Sequence, residues 1–161
     1  MASPAVPAIE PEELLSDLLG LDPGLQRETH YGERSIFYNP GGVAPLGTIF
    51  ASVKDHDGPN DKAAKLSRQG VYRLAFCLTR ERFAERFGQP PRRPSKSGLV
   101  DLAGYDLTRP GELMPHPVYA WMRWVQILSP SRPQYKALKP LLAESLEVVK
   151  AKWTKTKRTA S

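Results

Sequence analysis

The sequence predicts an α+β fold, an antiparallel or mixed sheet of four to five strands with helices packed on it. Two patterns carry that reading. Apolar residues recur at helical spacing near both ends of the chain, whereas its middle holds short runs that alternate with period two. A third observation sets aside a doubly wound parallel sheet, because helices and strands do not follow one another in strict βαβ order. At 161 residues the chain is sized for one core.

Taken in order, a Pro/Ala-rich leader over 1–11 reads as flexible. Leu14, Leu15, Leu18 and Leu19 then mark a short amphipathic helix over 12–19, which Gly20 would end in a left-handed cap. Thr29-His30-Tyr31 and Ser35-Ile36-Phe37-Tyr38 flank Gly32-Glu33-Arg34, the spacing of a hairpin, and Asn39-Pro40-Gly41-Gly42 breaks its second strand. Thr48 to Lys54 is β-branched and apolar enough for a third strand. Asn60 or Asp61 is expected to cap a short helix reaching Arg68. Val71 to Leu78 gives the clearest strand, with Tyr72, Leu74, Phe76 and Leu78 on one face and Arg73, Ala75 and Cys77 on the other.

Thr79 then caps a helix to Phe87, where Phe83 and Phe87 share a face. From Gly88 to Gly111 breakers dominate, so a long surface connection is expected. Arg123 to Leu128 suits a final strand. Ser131 and Gln134 have the spacing of a capping box for a terminal helix, which Pro140 should kink or restart. The domain reading is a leader over 1–11, one α+β domain over 12–152 and a basic tail over 153–161.

The composition is that of an ordinary globular domain: 40% hydrophobic and 25% charged residues. Its net charge of +6 is uneven, with three Lys/Arg against nine Asp/Glu up to Asn60 and twenty against eight thereafter. That asymmetry favours an anionic partner, although a basic tail also serves solubility. No apolar run reaches the ~20 residues of a membrane helix. The start lacks a signal-peptide pattern, and the lone Cys77 forms no internal disulfide. A cytoplasmic protein with no membrane partner is expected.

Motifs of the familiar enzyme classes are absent: there is no GxSxG, no Walker loop and no dinucleotide glycine pattern. Polar candidates remain. Lys54-Asp55-His56-Asp57-Gly58-Pro59-Asn60-Asp61 sets a histidine between two aspartates, a pattern that could bind a metal or orient the histidine as a base, but more simply the residue set that a turn and a helix cap require. His116 is held between Pro115 and Pro117, whose rings restrict the backbone. It suits a base, a metal ligand or a donor to a bound anion, or more simply a group that satisfies buried backbone. Tyr119, Trp121 and Trp124 could stack on a ligand but more simply pack a core, whereas Arg123 among them needs solvent, an acid or an anion. No second residue stands at zinc-ligand spacing from His116, and no metal and no cofactor are expected.

Glu33 to Pro40, Lys54 to Asp61, Gly70 to Leu74 and Met114 to Ser129 together resemble a family of small, mostly bacterial proteins classed as a domain of unknown function. That resemblance covers nearly all of residues 12–152. More distantly, the His-Pro motif, the tryptophan strand and a helix bearing Leu141 to Ser145 resemble the MmcQ/YjbR family. This likeness implies a compact α+β double-wing fold and a possible role in DNA binding. Leu146 stands where that family usually has an aromatic residue, and the Gly88–Gly111 connection is longer.

The function these readings favour is a non-enzymatic binding module for a small anionic ligand or a protein partner. Its site would gather Lys54, Asp55, His56, Asp57, Arg73, His116, Tyr119 and Arg123. The alternatives are nucleic-acid binding through the basic C-terminal half, and a hydrolase or transferase that uses His116 with Asp55 or Asp57.

Overall fold

A computed structural model of the protein describes residues 6–30, 32–94 and 100–160, with side chains up to residue 156. Residues 1–5 of the leader, Tyr31 of the hairpin, residues 95–99 of the long connection and the Lys157 and Arg158 side chains of the tail lie outside the described residues. Among those described are three α-helices, α1 (Pro11–Leu19), α2 (Arg80–Phe87) and α3 (Arg132–Ala160). They accompany six strands: β1 (Leu25–His30), β2 (Glu33–Tyr38), β3 (Thr48–Lys54), β4 (Arg73–Cys77), β5 (Met114–Pro115) and β6 (Trp124–Leu128).

One sheet orders them β1-β2-β3-β4-β6-β5, every neighbouring pair antiparallel. The α+β expectation holds and the sheet is antiparallel, but it has six strands rather than four to five. The additional strand is β5, two residues hidden in a proline-rich stretch and paired to Gln126 and Val125. Pro115 has no N–H for a further partner, which suits it to the sheet edge it occupies.

One face of the sheet is the core. Ile36, Val53, Leu74, Phe76, Val125 and Ile127 alternate onto it and meet Leu14, Leu15 and Leu18 of α1 and Leu138, Leu142, Leu146 and Val149 of α3. Each fully buried side chain of this kind stabilises by ~1.5–3 kcal/mol. A register shift between Ile36 and Phe37 leaves Phe50 unopposed, and that side chain is fully buried as well. Ile9 also packs in this core, its carbonyl accepting from the Tyr72 hydroxyl at 2.6 Å. At the other end Trp153 of α3 is buried edge-on against Tyr38.

Two caps follow the sequence. Thr79 Oγ1 accepts from the Arg82 amide at 3.2 Å to start α2. Ser131 and Gln134 bond each other's backbone amides reciprocally at 2.9 and 3.3 Å to start α3. Three expectations are corrected. Gly20 has φ −72°, not a left-handed cap, because its N–H still reaches the Ser16 carbonyl and the next amide bonds Leu18, so the chain keeps winding. No helix forms from Asn60 or Asp61 to Arg68. Asp61, one of the two expected caps, commits its carboxylate elsewhere, Asp57 Oδ1 takes the Leu66 amide at 2.8 Å, and Lys65 is left-handed at φ 53°. Finally, α3 runs as one helix through Pro140, so the proline does not restart it.

Candidate functional site

The opposite face of the sheet is polar. Antiparallel register sets Lys54 opposite Arg73 and Ser52 opposite Ala75, which in turn faces Gln126. Side chains alternate along a strand, so Lys54, Ser52, Arg73 and Gln126 all point away from the apolar core. Arg73, Gln126 and Ser52 are nonetheless buried, because loops close over this side.

The loop after β3 supplies the countercharge. Asp61 accepts both Arg73 terminal nitrogens, at 2.9 and 2.5 Å, and Lys54 Nζ at 3.0 Å. Burial alone would push this carboxyl up, but the bonds from Arg73, and then Lys54, outweigh it and hold Asp61 far below the carboxylate range. Two cations share one carboxylate, so the cluster keeps one positive charge in excess. Leu66 and Ala64 of the same loop pack on Leu128 and fix its position.

The connection between β5 and β6 brings in His116, which is 2% exposed. Its Nδ1 accepts from the amides of Val118 at 3.0 Å and Tyr119 at 3.1 Å, which places the ring proton on Nε2. Burial, reinforced by Arg73 and Lys54 against the opposing pull of Asp61, holds the imidazole neutral, well below its ordinary value. Among the described residues none accepts a hydrogen bond from Nε2.

His116 and Ser52 form the floor of a cleft of about 430 Å³. One side is Glu33, Ser35 and Ile49 of β2 and β3, and the other is Tyr119 and Met122 of the β5–β6 connection with Trp124 of β6, Lys152 of α3 lying at the rim. Ile49, Tyr119 and Met122 are exposed there, and the His116 and Tyr119 rings lie 5.1 Å apart. The cleft thus combines an apolar body, an N–H donor on a buried ring and three hydroxyls beside a net positive cluster. That is the composition of a small-ligand site. Larger depressions exist, but in the one between α1 and α3 both acids are already paired, Glu13 to Arg132 and Asp17 to Lys139.

Of the residues singled out in the sequence, His116 and Tyr119 line the cleft, and Lys54 and Arg73 lie in the charged cluster beside it. Asp55 and His56 are elsewhere: Asp55 bonds Arg34 and His56, and the His56 ring sits over Gly32, where a Cβ would come within 2.8 Å of it. Gly32 has φ 78°, so that position needs glycine on both counts. Asp57 braces its own loop through Leu66 and Ser67. Arg123 does not line the cleft. It sits at φ 68°, closing the turn after Met122, with its Nε buried and unpartnered among the described residues. Trp124, a stacking candidate in the sequence, also lines the cleft, whereas Glu33, Ser35 and Ser52 entered only through strand register. The alternation of Ser52 and Lys54 with buried Ala51 and Val53 was the available signal.

The described residues contain no group of three or more His, Cys, Asp and Glu arranged to hold a metal ion, and no helix long and apolar enough to cross a membrane. A family profile described as a family of unknown function, DUF6194, matches residues 9–159. The chain belongs to that family. No curated protein and no solved structure matches it.

Proposed function

We propose that the protein is a non-enzymatic binding module whose cleft takes a small anionic ligand. The observation that carries this reading is the excess positive charge of Lys54 and Arg73 over Asp61, set beside a neutral histidine whose Nε2–H has no protein acceptor among the described residues. An open donor on a buried ring, beside a net positive cluster, favours a carboxylate-like acceptor. Tyr119, Met122 and Trp124 would cover the ligand's apolar part. Neither Asp55 nor Asp57 lines the cleft with His116, so a hydrolytic role for that set has less support. Nucleic-acid binding has less too, since several α3 cations are already paired. The order of His-Pro motif, tryptophan strand and helix is what supports a distant MmcQ/YjbR-like architecture, and a cytoplasmic location accords with the free thiol.

Titration with the carboxylates para-toluate and hydrocinnamate, followed by NMR, tests the reading. Saturable shifts should centre on Trp124, Tyr119 and Ser52 amides, and Ser52→Leu, which fills the floor, should weaken them about tenfold or more, on the ~1.5–3 kcal/mol scale of hydrogen bonds to charged groups. Shifts confined to other surfaces would overturn it.

A further inference from the structure

Among the described residues Glu33 is the one acid lining the cleft, half-buried at the start of β2, and its carboxylate has no ion pair or hydrogen bond to any of them. Its natural partner is turned away. One residue beyond the Arg34–Val53 pair, register sets Glu33 beside Lys54, whose ammonium is committed to Asp61. Lys152 lines the same cleft but makes no ion pair with Glu33. A carboxylate with no cation beside it is free to accept a charge-assisted hydrogen bond from a cation that arrives with the ligand. The cleft is therefore polarised, with an unpaired acid on the sheet side and a donor backed by positive charge on the floor. Glu28, on the same sheet face as Ser35, adds to the acidic side and disfavours polyanions such as nucleic acids.

We infer that the ligand is a small zwitterion, an aminocarboxylate with an apolar or aromatic body, its ammonium at Glu33 and its carboxylate at His116. This rests on the reading of the cleft as an anion site. Trp124, Tyr119 and Met122 take the body, and the separation of the two charged ends selects among aminocarboxylates.

Calorimetric titration of the full chain with matched pairs tests it: phenylalanine against hydrocinnamate, and para-(aminomethyl)benzoate against para-toluate. At least one zwitterion should bind about tenfold more tightly than its amine-free partner, the worth of one partly buried charge-assisted hydrogen bond. Glu33→Gln, with an unchanged thermal midpoint, should bring that ratio close to one. Amine-free partners that bind as tightly as the zwitterions, or a preference that survives Glu33→Gln, would overturn the inference and leave the anion site standing. Phenethylamine binding as tightly as phenylalanine would overturn it from the other side. Failure of every carboxylate to bind would remove both readings.

Discussion

The two faces of this sheet use the same strands for opposite ends. On one, Leu74 and Phe76 of β4 disappear into an apolar layer sealed by α1 and α3. On the other, Arg73 of the same strand is as deeply buried but held by a single carboxylate from a loop. Burial of apolar area is non-directional, so the first face tolerates small shifts. A buried ion pair is demanding, because removing either partner strands a charge, and it therefore dictates where the loop must lie. The covered face holds the fold, and the polar face positions the cleft.

Breaking the pair should have the largest effect. Asp61→Ala leaves Arg73 buried and uncompensated and should lower stability by about 3–5 kcal/mol in urea unfolding. Leu74→Ala, its counterpart on the apolar face, should cost about 2–5 kcal/mol. The distinction lies in rescue: adding Arg73→Met to Asp61→Ala should restore much of the loss, whereas no charge change rescues Leu74→Ala. Absence of rescue would mean the pair does no more than fill space.

A smaller effect concerns pH. His116 is held neutral by burial and by Arg73 and Lys54, with Asp61 pulling the other way, so its folded pKa lies below the ordinary 6.5. As pH falls below that value the unfolded chain takes a proton that the folded chain refuses, so stability must fall. The slope approaches about 1.4 kcal/mol per pH unit between roughly pH 6.5 and 5. His116→Gln should flatten that part of the profile in urea unfolding at stepped pH, and an unaltered slope would assign the dependence to other groups.

The smallest expected effect is on the apolar side, at its surface. Glu12 joins α1 to the hairpin by accepting twice from Arg27, at 2.6 and 2.9 Å, and once from Arg34, at 2.9 Å, bonds that lower its carboxyl to about 2. It remains exposed, so screening leaves little of this, and Glu12→Gln should cost only about 0.2–1 kcal/mol in the same assay. A loss as large as that of Asp61→Ala would undo the contrast between surface and buried pairs.

What the sequence made legible follows from locality. β3, α2 and the cap of α3 rest on period, Thr79 and the Ser131–Gln134 pair, all decided within a few residues. The helix expected from Asn60 or Asp61 did not form, and Asp61, a side chain that would cap locally, was claimed by Arg73, twelve residues away. β5 escaped notice since two residues carry no period. His116, Arg73 and Lys54 stood out by residue type, yet the serines and Glu33 that complete the cleft look ordinary until β2 and β3 are put in register. No local pattern specifies that register.

The exposed edge at β1 carries one further consequence. A second copy that extended the sheet antiparallel along this strand must oppose residues that share a face, and the two most central alignments then set Arg27 against Arg27 or Glu28 against Glu28. Like charges directly opposed destabilise such a pairing. The strand that closes the hairpin thus also bars its own twin, and the sheet is kept from growing by the alternation of two charges.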